Sequence, residues 1–268
     1  MKSNYLKLLE KYKITPTFPC SQEYFERSGI EEQTCGDYVY WKQHEWFIGP
    51  PINSLTGELV KSPPSDWIIP MNKIWACFHN WEMSSDYKKE FLSFEYIYDP
   101  KNFLKMEGGR WSIFRKNIRK FPGRYGNAPL RYIEATSDHE EDLKKLFLEW
   151  VGTKGEDQEI HDDEVMLNYL FHGNNRKILV DKNNYILGVN IWDLGYSQIY
   201  FRFNFSRNIK FLNEYLRYIF YTDPIILNQN KLVNDGGSLD NKNLEAFKDK
   251  LCPLEKREIF SYIKMEEI

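Results

Sequence analysis

The sequence lacks a long apolar run, paired cysteines and an excess of charge of either sign. No stretch approaches the roughly 20 apolar residues needed to cross a bilayer. The opening MKSNYLKLLEKYK carries basic residues but neither an apolar core nor a small-residue cleavage site, so a short amphipathic helix is expected there rather than a signal peptide. Cys20, Cys35, Cys77 and Cys252 form no C-x-x-C pair and have no histidine at zinc spacing. That excludes a zinc ribbon and points to reduced thiols in a cytoplasmic protein. A net charge of -3 means that affinity for nucleic acid or membrane must come from a local patch and not from the whole molecule. His44, His79, His139, His161 and His172 are scattered, and there is no H-E-x-x-H, P-loop or G-x-S-x-G. The HDDE run at His161 reads as a solvated helix start, and no metal site is expected.

What is abundant is aromatic surface. Aromatics make up 16% of 268 residues and charged residues 28%, which describes a folded chain with a thick core and a solvated exterior. The length suits one large domain or two tightly packed ones.

Along the chain, DYVYWKQHEWFIG reads as strand, turn, strand, and the proline-punctuated PPINSLTGELVKSPPSD as loop. Residues 72–82 read as an aromatic-rich helix, and FEYIYDP as a strand ended by Pro100. A helix is expected over Trp111–Phe121, then a break at PGRYGNAP. RYIEATS follows as a strand, with Ser137 or Asp138 capping the next helix. A further helix is expected from Asp162 to Phe171. KILVD, YILGVNIWDLG and SQIYFRFNFS form a three-strand meander with KNN as a hairpin turn. A helix over Ile209–Tyr221, the strand KLVND, the helix LEAFKDKL and the strand REIFSYIK complete the pattern. From Arg131 the order is β-α-α-β-β-β-α-β-α-β, an α/β reading with helices flanking a mixed sheet. That order is similar to the chain order of GNAT acyltransferases. The N-terminal half is looser, and the boundary is placed in the Gly123–Pro129 linker, giving lobes 1–125 and 126–268.

Two segments carry the chemistry. In GGRWSIFRKNIRKFPGR, Trp111, Phe114, Ile118 and Phe121 share one helical face, while Arg115, Lys116, Arg119 and Lys120 lie opposite, flanked by Arg110 and Arg124. No acidic residue occurs between Gly108 and Arg131, so the stripe is either a solvated face or a site for phosphate, lipid headgroup or RNA. In LVNDGGSLDNKNLEAFKDKLCP, a strand runs into Asn234, Asp235, Gly236 and Gly237, with Asp240 placed to cap the next helix. Leu244, Phe247 and Leu251 are its expected buried face, with Lys248 one residue past Phe247 and equally consistent with a surface lysine.

EYIYDPKNFLKMEGGRWSIFRKNIRKF, with Arg115, Asn117 and Ile118, and VNDGGSLDNKNLEAFKDKLCP, with Asn234, Gly236, Leu239, Phe247, Lys248 and Pro253, together resemble the C-terminal domain of phosphatidylglycerol lysyltransferases. The resemblance implies two tandem GNAT-like lobes and transfer of an aminoacyl group from aminoacyl-tRNA to a lipid hydroxyl. The integral-membrane portion of those enzymes has no counterpart in this sequence, which leaves the lipid acceptor in doubt. After IYFRFNFS, where a CoA-using GNAT would show a glycine-rich pyrophosphate loop, the sequence is FSRNIKFLNEYL, without glycine. No cofactor is therefore expected, and the partner expected is aminoacyl-tRNA or another phosphate-bearing substrate.

Aminoacyl transfer needs a positioned acceptor, a proton acceptor and an oxyanion partner. The candidates for the carboxylate are Asp235 first and Asp193 second, each also consistent with a turn or cap. Arg110, Arg115, Lys116, Arg119, Lys120, Arg202, Asn234, Gly236 and Lys248 are the candidates for holding substrate or anion. Arg202, alternating with Tyr200 and Asn204, fits either a solvent face or a site. Two other readings stay open: a GNAT enzyme using acyl-CoA, and a non-catalytic module that holds an anionic partner on the basic helix.

Overall fold

The computed structural model describes residues 2–62, 73–76, 81–123, 129–153, 163–238 and 241–265. Arg124, Cys77, His79, His161, Leu239, Asp240 and positions 124–128 of the expected linker lie outside them.

Local chemistry starts most helices. Ser3 caps α1 (Asn4–Lys11) and Ser21 caps α2 (Gln22–Arg27), each accepting a backbone N–H in the first turn. Strands β1 (Glu31–Cys35), β2 (Tyr38–Gln43), β3 (Trp46–Ile48), β4 (Ile52–Asn53), β5 (Lys73–Ala76) and β6 (Tyr87–Tyr98) follow. Asp99 and Pro100 then open α3 (Pro100–Lys105), so Pro100 does not merely end a strand: at the first helical position its missing N–H costs nothing. Helix α4 (Ser112–Gly123) comes next, entered through a single 3₁₀ turn at Gly109–Trp111.

After β7 (Arg131–Glu134), Thr136 and not Ser137 or Asp138 accepts the capping bond, from His139, ahead of α5 (Glu140–Gly152). Helix α6 (Asp163–His172), strands β8 (Asn175–Val180), β9 (Ile186–Leu194) and β10 (Gln198–Ser206), and α7 (Leu212–Tyr221) match the expected order. A short α8 (Pro224–Leu227) precedes β11 (Leu232–Asn234), α9 (Lys242–Lys250) and β12 (Glu255–Lys264). Asn241 caps α9.

The strands join one mixed sheet in the order β1-β2-β3-β5-β12-β6-β11-β10-β9-β8-β7, with β4 on β2. The helix expected over 72–82 is replaced at 73–76 by β5, parallel to β3 and antiparallel to β12. Ile74 is fully buried there, and a β-branched side chain packs well against neighbours on a pleated surface.

Two connections tie the halves of the chain together. Strand β12 lies between β5 and β6, pairing with β6 from Glu255↔Ile97 to Lys264↔Tyr87. Its Tyr262 is packed into the core formed by Tyr5, Leu9, Trp41, Phe47 and Ile74. In return β6 pairs with β11, through Val233↔Tyr98 and Asn234↔Ile97.

Strands β10 and β11 are parallel and in register only from Gln198↔Leu232 to Tyr200↔Asn234. Beyond Asn234 the chain stays with β6, through Asp235 N–H to Tyr96 O and Tyr96 N–H to Gly236 O, while β10 continues along β9. The two strands therefore part after Tyr200, and the opening between them is the main irregularity in the sheet.

Candidate functional site

Around this parting the side chains are charged and buried. A bulge in β10, where Phe201 faces Trp192 and Phe203 faces Ile191, leaves Arg202 as the extra residue. The bulge breaks the alternation that the sequence suggested. Arg202 joins Tyr200 on one face, whereas Asn204 donates to Asn190, which is held by Leu216 O on α7, on the other. Arg202 is neither on a solvent face nor free. Its guanidinium donates through Nε to Asp193 Oδ2 at 2.6 Å and through Nη2 to Ser21 Oγ at 2.8 Å. It sits 4.4–4.7 Å from the ring centroids of Phe18, Tyr24 and Tyr200. Its remaining Nη1 donates to the carbonyl of Phe18.

Asp193 Oδ2 also accepts from Ser21 Oγ at 2.5 Å and from the Tyr169 hydroxyl at 2.9 Å. Its Oδ1 is buried and has no hydrogen-bond partner of its own among the described residues. Glu23, in the first turn of α2, lies beside it. Burial, and then the negative charge of Asp193, push the Glu23 carboxyl up to about 7, partly opposed by the N–H of Asn174 and by Arg27. A protonated Glu23 is thus the natural donor for Asp193.

The pH dependence follows with a definite sign. Because the folded state holds the Glu23 proton more tightly than the unfolded chain, this group's contribution to stability is fully present below about 4.5 and is lost as pH rises through about 7. Melting temperature should fall between pH 5 and pH 8, and Glu23→Gln should flatten that decline; an unchanged slope in the variant would remove Glu23 as its cause.

Across the parting, Glu95 of β6 is fully buried. Its Oε2 accepts from Asn234 Nδ2 at 2.7 Å and its Oε1 accepts the backbone N–H of Phe18 at 2.6 Å. Asn234 and Arg202 are therefore brought to one site with Asp193. Glu95, Glu23, Ser21 and Tyr169 were not singled out in the sequence, although a lone acid inside the apolar FEYIY strand was a visible signal.

Asp235, the other candidate carboxylate, is in a separate network. It meets Arg217 Nη1 at 3.0 Å, Lys248 Nζ at 3.3 Å and the Tyr221 hydroxyl at 3.2 Å. Lys248 is not a surface lysine. It is the most buried residue of α9, where Phe247 is only half buried, and its ammonium also holds the carbonyls of Asp235, Gly236 and Gly237. Burial lowers its pKa, and Asp235 opposes that shift. Gly236 has φ +63°, and a Cβ there would come 3.0 Å from the Phe18 ring, so this glycine serves both backbone shape and close packing.

The cations of the basic helix belong to neither network. Trp111, Phe114 and Ile118 pack with Phe103, Phe220 and Tyr221 as the spacing predicts. Each such side chain contributes about 1.5–3 kcal/mol by leaving water. Arg110, Lys116, Arg119 and Lys120 are exposed. Arg115 instead donates to the carbonyls of Met106 and Gly108, closing the turn after α3, and so is not a free anion contact. Two hollows among the described residues are not lined by this stripe. One, of about 150 Å³, lies over Asp99, Lys101 and Lys231; the other, of about 370 Å³, is bordered by Cys20, Ser21, Leu194, Tyr196 and Lys231. No helix among the described residues is long and apolar enough to cross a membrane.

No protein-family model matches the chain, and no curated protein matches it in sequence. Solved structures do match in fold. A conserved protein of unknown function from Bacteroides thetaiotaomicron VPI-5482 superposes with a TM-score of 0.68 at 14% identity, over 91% of this chain and 88% of that one. L-PGS from Bacillus licheniformis gives 0.62 at 14% identity, over 100% of this chain and 93% of that one. The C-terminal domain of a protein described as a lysylphosphatidylglycerol synthetase, from Agrobacterium fabrum, gives 0.62 at 11% identity, over 98% and 93%. The chain thus has the mixed-sheet α/β fold of these proteins, and at such identities the likeness is one of architecture.

Proposed function

We propose that the chain is an acyltransferase of the aminoacyl type whose reacting groups meet where β10 and β11 part. One observation carries this reading: Glu95 and Arg202 face each other across the opening and together hold the N–H and C=O of a single residue, Phe18. A carboxylate and a guanidinium at that separation suit an aminoacyl ester, with its ammonium on Glu95 and its carbonyl on Arg202. Arg202, fixed by Asp193 and Ser21, then stabilises the oxyanion as an acceptor hydroxyl or amine forms its bond to the carbonyl carbon. The ester C–O bond breaks, and the proton of the acceptor passes to the Glu23–Asp193 pair and from there to the leaving oxygen. In this scheme Asp193 positions Arg202, while Asp235 and Lys248 anchor the end of β11 and do not touch substrate.

The donor proposed is aminoacyl-tRNA. The exposed Arg110, in the turn before α4, and Lys116, Arg119 and Lys120 of α4 suit the phosphate backbone of a large donor. The glycine-free FSRNIKFLNEYL, which enters α7, disfavours acyl-CoA. The division into lobes 1–125 and 126–268 belongs to the same proposal, with β6 and β12 exchanged between them.

The test is transfer of a labelled amino acid from charged tRNA to hydroxyl and amine acceptors. Label should leave the tRNA into product, and Arg202→Lys should slow this by about 100-fold with tRNA retention on filters unchanged. Label that stays on tRNA with every acceptor, while acyl-CoA supports transfer, would replace the donor; inertness toward both would end the enzymatic reading.

A further inference from the structure

Phe18 belongs to a segment without regular secondary structure, between α1 and α2, and it is held as a ligand is held. Its N–H goes to the carboxylate of Glu95 on β6 and its C=O to the guanidinium of Arg202 on β10. Its ring lies 4.4 Å from the Arg202 guanidinium and against Gly236, edge-on to Tyr200. None of these partners is near it in the chain. Both charged side chains are buried; Arg202 keeps Asp193 and Glu95 keeps Asn234 when the segment leaves, but each loses one hydrogen bond, which another donor–acceptor pair can restore. Phe18 is itself only half buried, and the following Cys20 and Ser21 border the hollow of about 370 Å³. The opening is thus walled by buried charges and aromatics and closed by one half-buried residue of the chain.

We infer that the parting between β10 and β11 is a binding site for an amide or peptide unit carrying an aromatic side chain, and that Phe18 is its resident occupant. The N–H donor answers Glu95, the carbonyl answers Arg202, and the ring answers the surface made by Gly236, Tyr200 and the guanidinium. A ligand of this class binds by exchange with Phe18, so its apparent affinity is reduced by the fraction of molecules in which the segment is closed. This site shares its location and its two recognition groups, Glu95 and Arg202, with the proposed transferase site, but binding there requires no bond to be made or broken. Binding without turnover would sink the transferase reading and leave this one standing, and turnover without such binding would do the reverse.

The probe is N-acetyl-L-phenylalaninamide, followed by calorimetry and by amide hydrogen exchange. Phe18→Ala weakens the resident occupant, and the probe should bind this variant about tenfold more tightly than it binds the unaltered protein. The analogue methylated on the nitrogen that Glu95 would accept from should bind about tenfold more weakly than the probe. In the unaltered protein, saturating probe should speed exchange of the Phe18 amide, a readout that holds even if the variant fails to fold. Equal affinity for both proteins, indifference to methylation, or unchanged or slower exchange at Phe18 would each overturn the inference.

Discussion

Arg202→Met should lower the free energy of unfolding by about 3–5 kcal/mol, read as a drop in the urea midpoint at unchanged slope. The size follows from what remains behind. Asp193 loses its cation while staying buried, with neutral donors alone, the hydroxyls of Ser21 and Tyr169 and the protonated Glu23, to hold its charge. The three rings around the guanidinium lose the group they enclose, and the Phe18 carbonyl loses its donor. Methionine fills much of the volume, so the loss is electrostatic in the main and not a cavity effect. Adding Asp193→Leu to Arg202→Met should recover a large part of the stability, because replacing both members of a buried pair removes the uncompensated charge. A double variant as unstable as the sum of the singles would show that the pair is not coupled as the geometry requires.

Lys248→Met should cost a similar amount, about 3–5 kcal/mol, for a different reason. Here one ammonium secures a carboxylate and three successive carbonyls, those of Asp235, Gly236 and Gly237. Strand β11 has only three residues, and its exit is held by that side chain together with the two backbone bonds to Tyr96. Without the ammonium the Asp235 and Gly237 carbonyls are left to compete for water or to move, while Gly236 keeps the Tyr96 N–H. Amide exchange should rise most at 234–238, with α4 and β8 unaffected. Uniform loss of protection would point to global unfolding instead and refute a local anchoring role.

Parts of the site were legible in the sequence and parts were not, for physical reasons. The face made by Trp111, Phe114, Ile118 and Phe121 was legible because helical spacing is local, and the β8-β9-β10 meander because alternation and turn residues are local too. Arg202 was found as a charge inside an aromatic strand, Asp193 as a carboxylate at a strand end, and Asn234 at the strand-to-turn junction that carries the family resemblance. Glu95 offered the same signal, but its meaning depends on Phe18, a residue 77 positions earlier in the chain. The bulge at Arg202 was invisible because one inserted residue reverses which side chains share a face, and nothing in IYFRFNF marks where that happens. The burial of Lys248 was not legible because a lysine in a helix is usually solvated, and only the convergence of strand-end carbonyls makes burial tolerable. The cation stripe holds for Lys116, Arg119 and Lys120, which are exposed, while Arg115 turns back onto the carbonyls of Met106 and Gly108. Its nearness to a cavity was a tertiary matter, and the hollows lie elsewhere.

The position of β12 between β5 and β6 has a consequence for how the protein is made. During synthesis the first half emerges with β5 missing one neighbour, β6 missing both, and Tyr262 still absent from the core that surrounds Tyr5 and Trp41. The early segment cannot finish folding as an independent unit on the ribosome. Until residues 255–264 are released it presents open strand edges, which makes the nascent chain a natural client for chaperones.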